Sequence, residues 1–258
     1  MDQEVIPSTV LNWIDGKECE ALAGDTFGKL SPVTGEEICT VARSLAEDVE
    51  KAVGVARKAQ PAWADSTPVA RGDLLHDIAQ AMRKHEEEIA TIVSLETGMS
   101  FKQALGETGG AIAQGEFMAG EGRRLYGRTT TSAVPNKYAM VVRQPLGVAG
   151  LIIAANTPIA NVAWKVFPAL ICGNAAVLKA AEDTPATAWI VGRIAKDVGM
   201  PPGVFNVIHG YGEEAGAPLV ANPQVDVISF TGSTAVGRQI AEVAARRGIW
   251  VLADEVYS

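Results

Sequence analysis

From Val148 onward the apolar residues gather in short unbroken blocks: Val148 to Ile153, Ala175 to Leu178, Val204 to Ile208, Val225 to Phe230 and Ile249 to Ala253. The segments between them carry apolar residues at helical spacing. Blocks of that length are strands covered on both faces, and strands alternating with amphipathic helices predict an α/β fold with a doubly wound, mostly parallel sheet.

Before Val148 the pattern is different. Asn12 to Lys17, Thr26 to Leu30 and Glu37 to Ala42 read as short strands, with Asp15-Gly16 and Thr34-Gly35 supplying turns, so an antiparallel prelude is expected. Ser44-Leu-Ala-Glu47 is a capping box, and Val49, Ala52, Val53, Ala56 and Ala59 follow at helical spacing; Pro61 is expected to end that helix. Thr67 and Pro68 supply an N-cap and a first helical residue for a second helix carrying Leu74, Leu75, Ile78, Met82, Ile89, Ile92 and Val93, with Gly98 as its cap. Gln103 to Tyr126 is read as a further helix, although six glycines there each cost about 1 kcal/mol relative to alanine. Tyr138 to Pro145 is strand-like.

Composition narrows the class. The 258 residues, 48% hydrophobic, can bury a large core, and the net charge of -8 without a basic run argues against nucleic acid or an anionic membrane as partner. No run reaches the ~18 apolar residues of a membrane span, and the amino terminus lacks the basic start and apolar run of a secretory signal. The three cysteines, Cys19, Cys39 and Cys172, and the three histidines, His76, His85 and His209, have no metal-ligand spacing, so no metal site is expected. Cysteine usage suits a reducing compartment, and a cytoplasmic location is expected.

Phe230-Thr-Gly232-Ser233-Thr-Ala-Val-Gly237 joins an apolar strand to a helix. Glycine allows a sharp turn, and the unpaired amides and dipole of the helix start form a site for a pyrophosphate. A triphosphatase loop would need Lys and Ser or Thr after the second glycine, and Arg238-Gln239 stand there instead. Alone, such a glycine pair more often serves packing than a cofactor.

With its surroundings the motif gains specificity. Gly147 to Pro158, Trp164 to Leu170, Gly173-Asn174, Val177-Leu-Lys179, Pro201-Pro-Gly203, Gly210-Tyr-Gly212 and Phe230 to Thr234 together resemble the aldehyde dehydrogenase superfamily over nearly the whole chain up to about Ala245. The resemblance implies a Rossmann-like NAD-binding domain over residues 1-245, with an oligomerisation arm at about 137-145 and a homo-oligomer formed through it. It implies that Lys179 and Glu182 hold the adenine ribose, that Gly210 to Gly212 line the adenine pocket, and that Gly232, Ser233 and Gly237 belong to the cofactor loop. A carboxylate at Glu182 accepts from both ribose hydroxyls and repels a 2'-phosphate, which favours NAD over NADP. Asn156 stands at the family's oxyanion asparagine, although Ala154, Ala155 and Thr157 replace its signature neighbours.

The implied reaction is oxidation of an aldehyde to a carboxylic acid, which needs a cysteine thiolate to add to the carbonyl. None of the three cysteines lies in the family's nucleophile context, and Cys172 reads as an inert buried helix residue. Residues 246-258 are similar instead to the strand of fold-type I pyridoxal-phosphate aminotransferases through Asp254 and Tyr257, while Glu255 falls in register with the family's general base. The chain is therefore expected to be truncated and chimeric, to lack a catalytic domain and to be catalytically incompetent alone. A non-catalytic dinucleotide-binding or interaction module, and an aminotransferase fragment, stand as alternatives.

Overall fold

The computed structural model describes residues 5–257, the side chains of 254–257 excepted. Five short strands open it: β1 (Thr9–Val10), β2 (Asn12–Ile14), β3 (Lys17–Cys19), β4 (Thr26–Leu30) and β5 (Glu37–Ala42). Four helices follow, α1 (Ala46–Asp65), α2 (Pro68–Lys84), α3 (Glu86–Thr97) and α4 (Phe101–Glu121), and then the hairpin of β6 (Arg128–Thr131) and β7 (Tyr138–Val141). The remainder alternates: β8 (Val148–Ile152), α5 (Pro158–Ile171), β9 (Ala175–Lys179), α6 (Pro185–Asp197), β10 (Phe205–Ile208), a π turn at Gly212–Gly216 leading into α7 (Ala217–Ala221), β11 (Val227–Ser233), α8 (Thr234–Arg247) and β12 (Trp250–Tyr257).

The main sheet has the order β12-β11-β8-β9-β10-β2-β3. Its first five strands are parallel, as the apolar blocks predict, and β2 and β3 add an antiparallel edge. Alternate strand residues serve opposite faces. Val148 and Ile152 pack with Val49, Val53, Leu219 and Ile240 of α1, α7 and α8. Ala149 and Leu151 pack on the other face in a larger core with residues of α2 to α6, among them Met82, Ile112, Phe167 and Ile190. Helices on both faces of a parallel sheet make the doubly wound architecture.

The prelude is more divided than expected. β2 and β3 extend the main sheet, while β4, β5 and β1 form a separate three-stranded sheet in which β1 runs parallel to β5. The β6 and β7 hairpin pairs with neither sheet, and its residues are exposed. The strand expected at Tyr138 to Pro145 is real but ends at Val141.

Three helix expectations are corrected. Pro61 does not end α1, which continues to Asp65. Contacts on both sides hold the last turn: Gln60 Nε2 donates to Gly173 O at 3.2 Å and Trp63 Nε1 to Leu170 O at 3.0 Å. The box at the start of α1 uses Asp48 rather than Glu47, since Leu45 N donates to Asp48 Oδ2 at 3.0 Å, and the Ser44 hydroxyl lies against Asn12 Oδ1 at 2.9 Å. The single helix expected from Pro68 to Thr97 is two helices broken at His85, whose φ and ψ are -103° and 17°. Thr67 does cap α2, accepting from Ala70 N at 3.1 Å, and Gly98 does close α3 in the left-handed region at φ 75°.

Candidate functional site

The carboxyl ends of the parallel strands form one row. Ile152 pairs with Lys179 and Phe230, and Lys179 with Ile208. The segments just beyond these residues therefore emerge side by side: Asn156 after β8, Glu182 after β9, Gly210 to Gly212 after β10, and Gly232-Ser233 at the end of β11. Strand order reverses between β8 and β11, since successive strands step to one side from β8 through β9 and β10, then continue on the other side as β11 and β12. Such a reversal opens the crevice in which doubly wound sheets hold their ligands.

At β11 the glycine motif is tighter than a loop. The strand continues through Gly232 and Ser233, with a register shift against β12, and α8 starts at once at Thr234. A Cβ on Gly232 would lie 2.5 Å from Phe230 Cζ, so only glycine lets the chain pass over that ring. Ser233 is the N-cap, its hydroxyl accepting from Val236 N at 3.4 Å, and Ser233, Ala235 and Val236 are exposed around it. Gly237 sits buried within the first turn of α8, so its part is helix packing rather than the turn itself. The open helix start offers oriented N–H groups and positive dipole potential, the features a pyrophosphate uses.

Lys179 ends β9 with only 3% of its side chain exposed, and its Nζ lies 2.7 Å from Glu182 Oε2, whose side chain is 42% exposed. Burial by itself would raise the Glu182 carboxyl, but the Lys179 charge and hydrogen bond hold it below the usual range. Glu182 is thus an ionised acceptor at the rim. After β10, Gly210 takes φ 140° and passes so near Ser44 that a Cβ would lie 2.9 Å from its carbonyl oxygen. Tyr211, between Gly210 and Gly212, stacks on Phe27 at 4.9 Å and under the Arg43 guanidinium at 5.3 Å, while Arg43 pairs with Glu214 at 2.5 Å. Glu214 belongs to the π turn that Gly212 begins, so this ion pair ties the loop to the Arg43 segment.

Asn156 is exposed, and its Oδ1 accepts from Asn161 Nδ2 at 3.2 Å. Two carboxylates from distant helices complete the helix starts along this edge. Glu107 of α4 accepts from Ile159 N and Ala160 N of α5 at 3.0 and 3.1 Å. Glu96 of α3 accepts from Ala186 N at 2.7 Å, Thr187 N at 2.9 Å and the Thr187 hydroxyl at 2.6 Å, all at the start of α6. Burial pushes the Glu96 carboxyl up to about 7 against the pull of these donors. The starts of α5 and α6 thus already hold a carboxylate each, whereas α8 is capped by its own serine, Ser233. Sequence reading identified none of these partners, because nothing local to Glu96 or Glu107 signals a helix start far along the chain, and Asn161 reads as an ordinary residue of a helix.

The cysteines lie elsewhere. Cys39 is buried in β5, and Cys19 sits in the edge strand β3. Cys172 is exposed, not buried as expected, because it caps the carboxyl end of α5. It lines a groove of about 470 Å³ with Arg71, Arg143, Trp164 and Leu252, away from the amino end of α5 where Asn156 lies. A helix of 14 residues puts those two ends about 20 Å apart. Desolvation raises all three thiols, Cys39 to about 12, and at Cys172, which is exposed but lines the groove, it outweighs the nearby guanidinium charges of Arg71 and Arg143. Lys165, beside Trp164, reaches Ser229 Oγ of β11 at 3.1 Å. Glu255 lies in β12, one residue past the Asp254 that pairs with Thr231, but its side chain is outside the described residues, as are those of Asp254 and Tyr257. Among the described residues no group of His, Cys, Asp and Glu could hold a metal, and no helix is long and apolar enough to cross a membrane.

A doubly wound sheet with a glycine-lined helix start, a lysine and carboxylate on the next strand but one, and an asparagine at the switch point is the class of dinucleotide-binding domains. Residues 20–254 match the model of the aldehyde dehydrogenase family, and the chain belongs to that family. An aldehyde dehydrogenase of Alternaria alternata is 39% identical over 235 residues, covering 90% of this chain and 47% of its own length. Among solved structures, an NADP-dependent enzyme of E. coli superposes with a TM-score of 0.94 at 33% identity, covering 98% of this chain and 52% of its own. Betaine aldehyde dehydrogenase of Staphylococcus aureus, solved with NAD+, gives a TM-score of 0.94 at 29% identity, covering 98% and 50%. The chain spans about half the length of the relatives it matches. The family match runs past Ala245 to Asp254, and β12 takes its place as a parallel strand beside β11. Nothing in these matches points to an aminotransferase.

Proposed function

We propose that this chain is the dinucleotide-binding half of an aldehyde dehydrogenase and binds NAD at the carboxyl edge of its sheet. The observation that carries the reading is the exposed start of α8 together with the Lys179 and Glu182 ion pair two strands along in the same strand-end row. The residues fit the cofactor: the helix start suits the pyrophosphate, Glu182 and Lys179 suit the ribose hydroxyls, and the Gly210 to Gly212 loop suits the adenine. When bound, NAD supplies the acceptor for a hydride from the substrate carbon.

The chain's own residues contribute binding and charge stabilisation. Glu182 accepts from the ribose hydroxyls and disfavours the 2'-phosphate of NADP. The Asn156 amide donates to the oxyanion of a tetrahedral aldehyde adduct, a role worth about 3 kcal/mol for a single donor in acyl-transfer enzymes. The thiolate that would form such an adduct is not placed at this site by any of the three cysteines, because Cys172 sits at the far end of α5 and Cys19 and Cys39 in β3 and β5. By itself the chain therefore binds NAD and leaves aldehydes unoxidised. The exposed hairpin, with Tyr138 86% and Met140 68% exposed, serves as the arm through which two copies associate.

Isothermal titration tests the reading. Saturable one-to-one binding of NAD, weakened at least tenfold by Glu182→Gln relative to NADP, supports it; an absence of NAD binding at millimolar concentration sinks it.

A further inference from the structure

We propose that Asn161 is a positioning residue that aims the Asn156 amide, a role that rests on the reading of Asn156 as the oxyanion donor. Asn161 lies in the first turn of α5 with 1% of its surface exposed. Its Nδ2 faces four acceptors: Thr157 O at 3.0 Å, Asn156 Oδ1 at 3.2 Å, Thr157 Oγ1 at 3.3 Å and Ala154 O at 3.4 Å.

Two of these acceptors are backbone carbonyls, which cannot donate. The Asn161 atom facing them is therefore the nitrogen, because an oxygen in that place would repel both. The same logic passes to the next side chain. An Asn156 group held against a donating nitrogen must present its oxygen, so its own Nδ2 is turned the opposite way. Among the described residues that nitrogen has no hydrogen-bond partner, and Asn156 is exposed. The arrangement leaves a fixed donor facing outward at the crevice.

The cost of this arrangement identifies it as more than packing. Asn161 Oδ1 is buried without a hydrogen-bond partner among the described residues. An unsatisfied buried acceptor is unfavourable, and the neighbours of Asn161 in α5, Ile159, Ala160, Val162 and Ala163, are buried apolar residues beside which an apolar side chain would carry no such penalty. A polar side chain kept there with one end unsatisfied is explained by what its other end does, which is to lock the Asn156 carboxamide in one of its two orientations.

The test uses the 258-residue chain with nitrogen-labelled asparagine side chains, the Asn156 signal being assigned by its loss in Asn156→Ala. In the parent chain the Asn156 Nδ2 group is ordered, with an order parameter near about 0.85, yet exchanges rapidly with solvent. In Asn161→Leu the order parameter of that group falls below about 0.6 while the backbone spectrum elsewhere is retained. In Asn161→Asp, which is nearly isosteric but only accepts, the Asn156 amide turns round and its protons gain about tenfold protection from exchange. A role confined to packing would produce neither change. If the Leu variant does not fold, the Asp variant alone decides.

An Asn156 amide equally ordered in Asn161→Leu, or equally exposed to exchange in Asn161→Asp, overturns the proposal. NAD titrations of the same samples separate this outcome from the wider reading. Loss of NAD binding in the parent chain would undo the proposed function and leave the amide result standing, whereas normal binding with an unmoved Asn156 would remove only the role of Asn161.

Discussion

Replacing Glu182 by Gln should move the choice between NAD and NADP by one to two orders of magnitude. The substitution keeps size and one acceptor but removes the charge. Hydrogen bonds to charged groups are worth about 1.5–3 kcal/mol against about 1 for neutral ones, so NAD should lose about 1 kcal/mol. For NADP the gain is electrostatic. Like unit charges about 4 Å apart cost ~1 kcal/mol in water and ~4 kcal/mol at an effective dielectric of ~20. The Glu182 side chain is 42% exposed and its partner Lys179 sits 2.7 Å away, which places the gain in the lower part of that range, about 1–2 kcal/mol. Together these give about 2–3 kcal/mol, or roughly 30–150-fold in the ratio of dissociation constants. Titrating both dinucleotides into parent and variant chains reads the ratio directly, with a thermal melt to confirm that Lys179, left with a neutral partner, has not unfolded the site. A change below about threefold would refute the assignment of the Lys179 and Glu182 pair to the adenine ribose.

Other predictions concern the frame that holds the site. His209 is fully buried, its ring nitrogens have no well-aligned hydrogen-bond partner among the described residues, and burial, only partly offset by the Leu11 backbone nearby, lowers its pKa to about 3. The unfolded chain therefore binds the extra proton: stability is full above about pH 6.5 and falls by up to ~1.4 kcal/mol per unit as pH drops toward 3, a slope that denaturant melts should show and His209→Leu should flatten. Glu96→Ala leaves two helix amides and a buried hydroxyl without their acceptor and should cost about 3 kcal/mol in urea unfolding; a loss below about 1 kcal/mol would contradict its role as the cap of α6. Gly232→Ala puts a carbon 2.5 Å from Phe230 Cζ and should displace the start of α8, weakening NAD binding at least about tenfold with a smaller effect on melting. Unchanged affinity would show that the helix start is not part of the site.

The sheet was legible in the sequence because buried parallel strands leave unbroken apolar blocks, and those from Val148 on match β8 to β12 within a few residues. The positions of the candidate residues at strand ends were legible for the same reason, since Asn156, Lys179, Glu182, Gly212, Gly232 and Ser233 each follow or close a block. Helix ends were harder. Gln103 to Tyr126 carries glycines that read as helix weakeners, yet Gly115 sits so close under the Phe167 ring that a Cβ would lie 2.7 Å from Cζ. There glycine allows α4 and α5 to touch, and packing overrides propensity. The break at His85 did leave a trace: Arg83-Lys84 followed by Glu86-Glu87-Glu88 puts bases at the end of α2 and acids at the start of α3, as helix dipoles favour. Pro61 misled because the acceptors of Gln60 and Trp63, at Gly173 and Leu170, lie more than 100 residues away in sequence. Glu107 and Glu96 were missed because their partners lie 52 to 91 residues further along the chain, and Asn161 because its side chain looks like ordinary helix filling.

The most direct measurement is calorimetric titration of the purified chain with NAD, followed by addition of an aldehyde with NADH absorbance recorded. Saturable one-to-one binding with no NADH formed is the predicted result. Failure to bind NAD would contradict the dinucleotide site at the start of α8, and steady production of NADH would contradict the placement of all three cysteines away from Asn156.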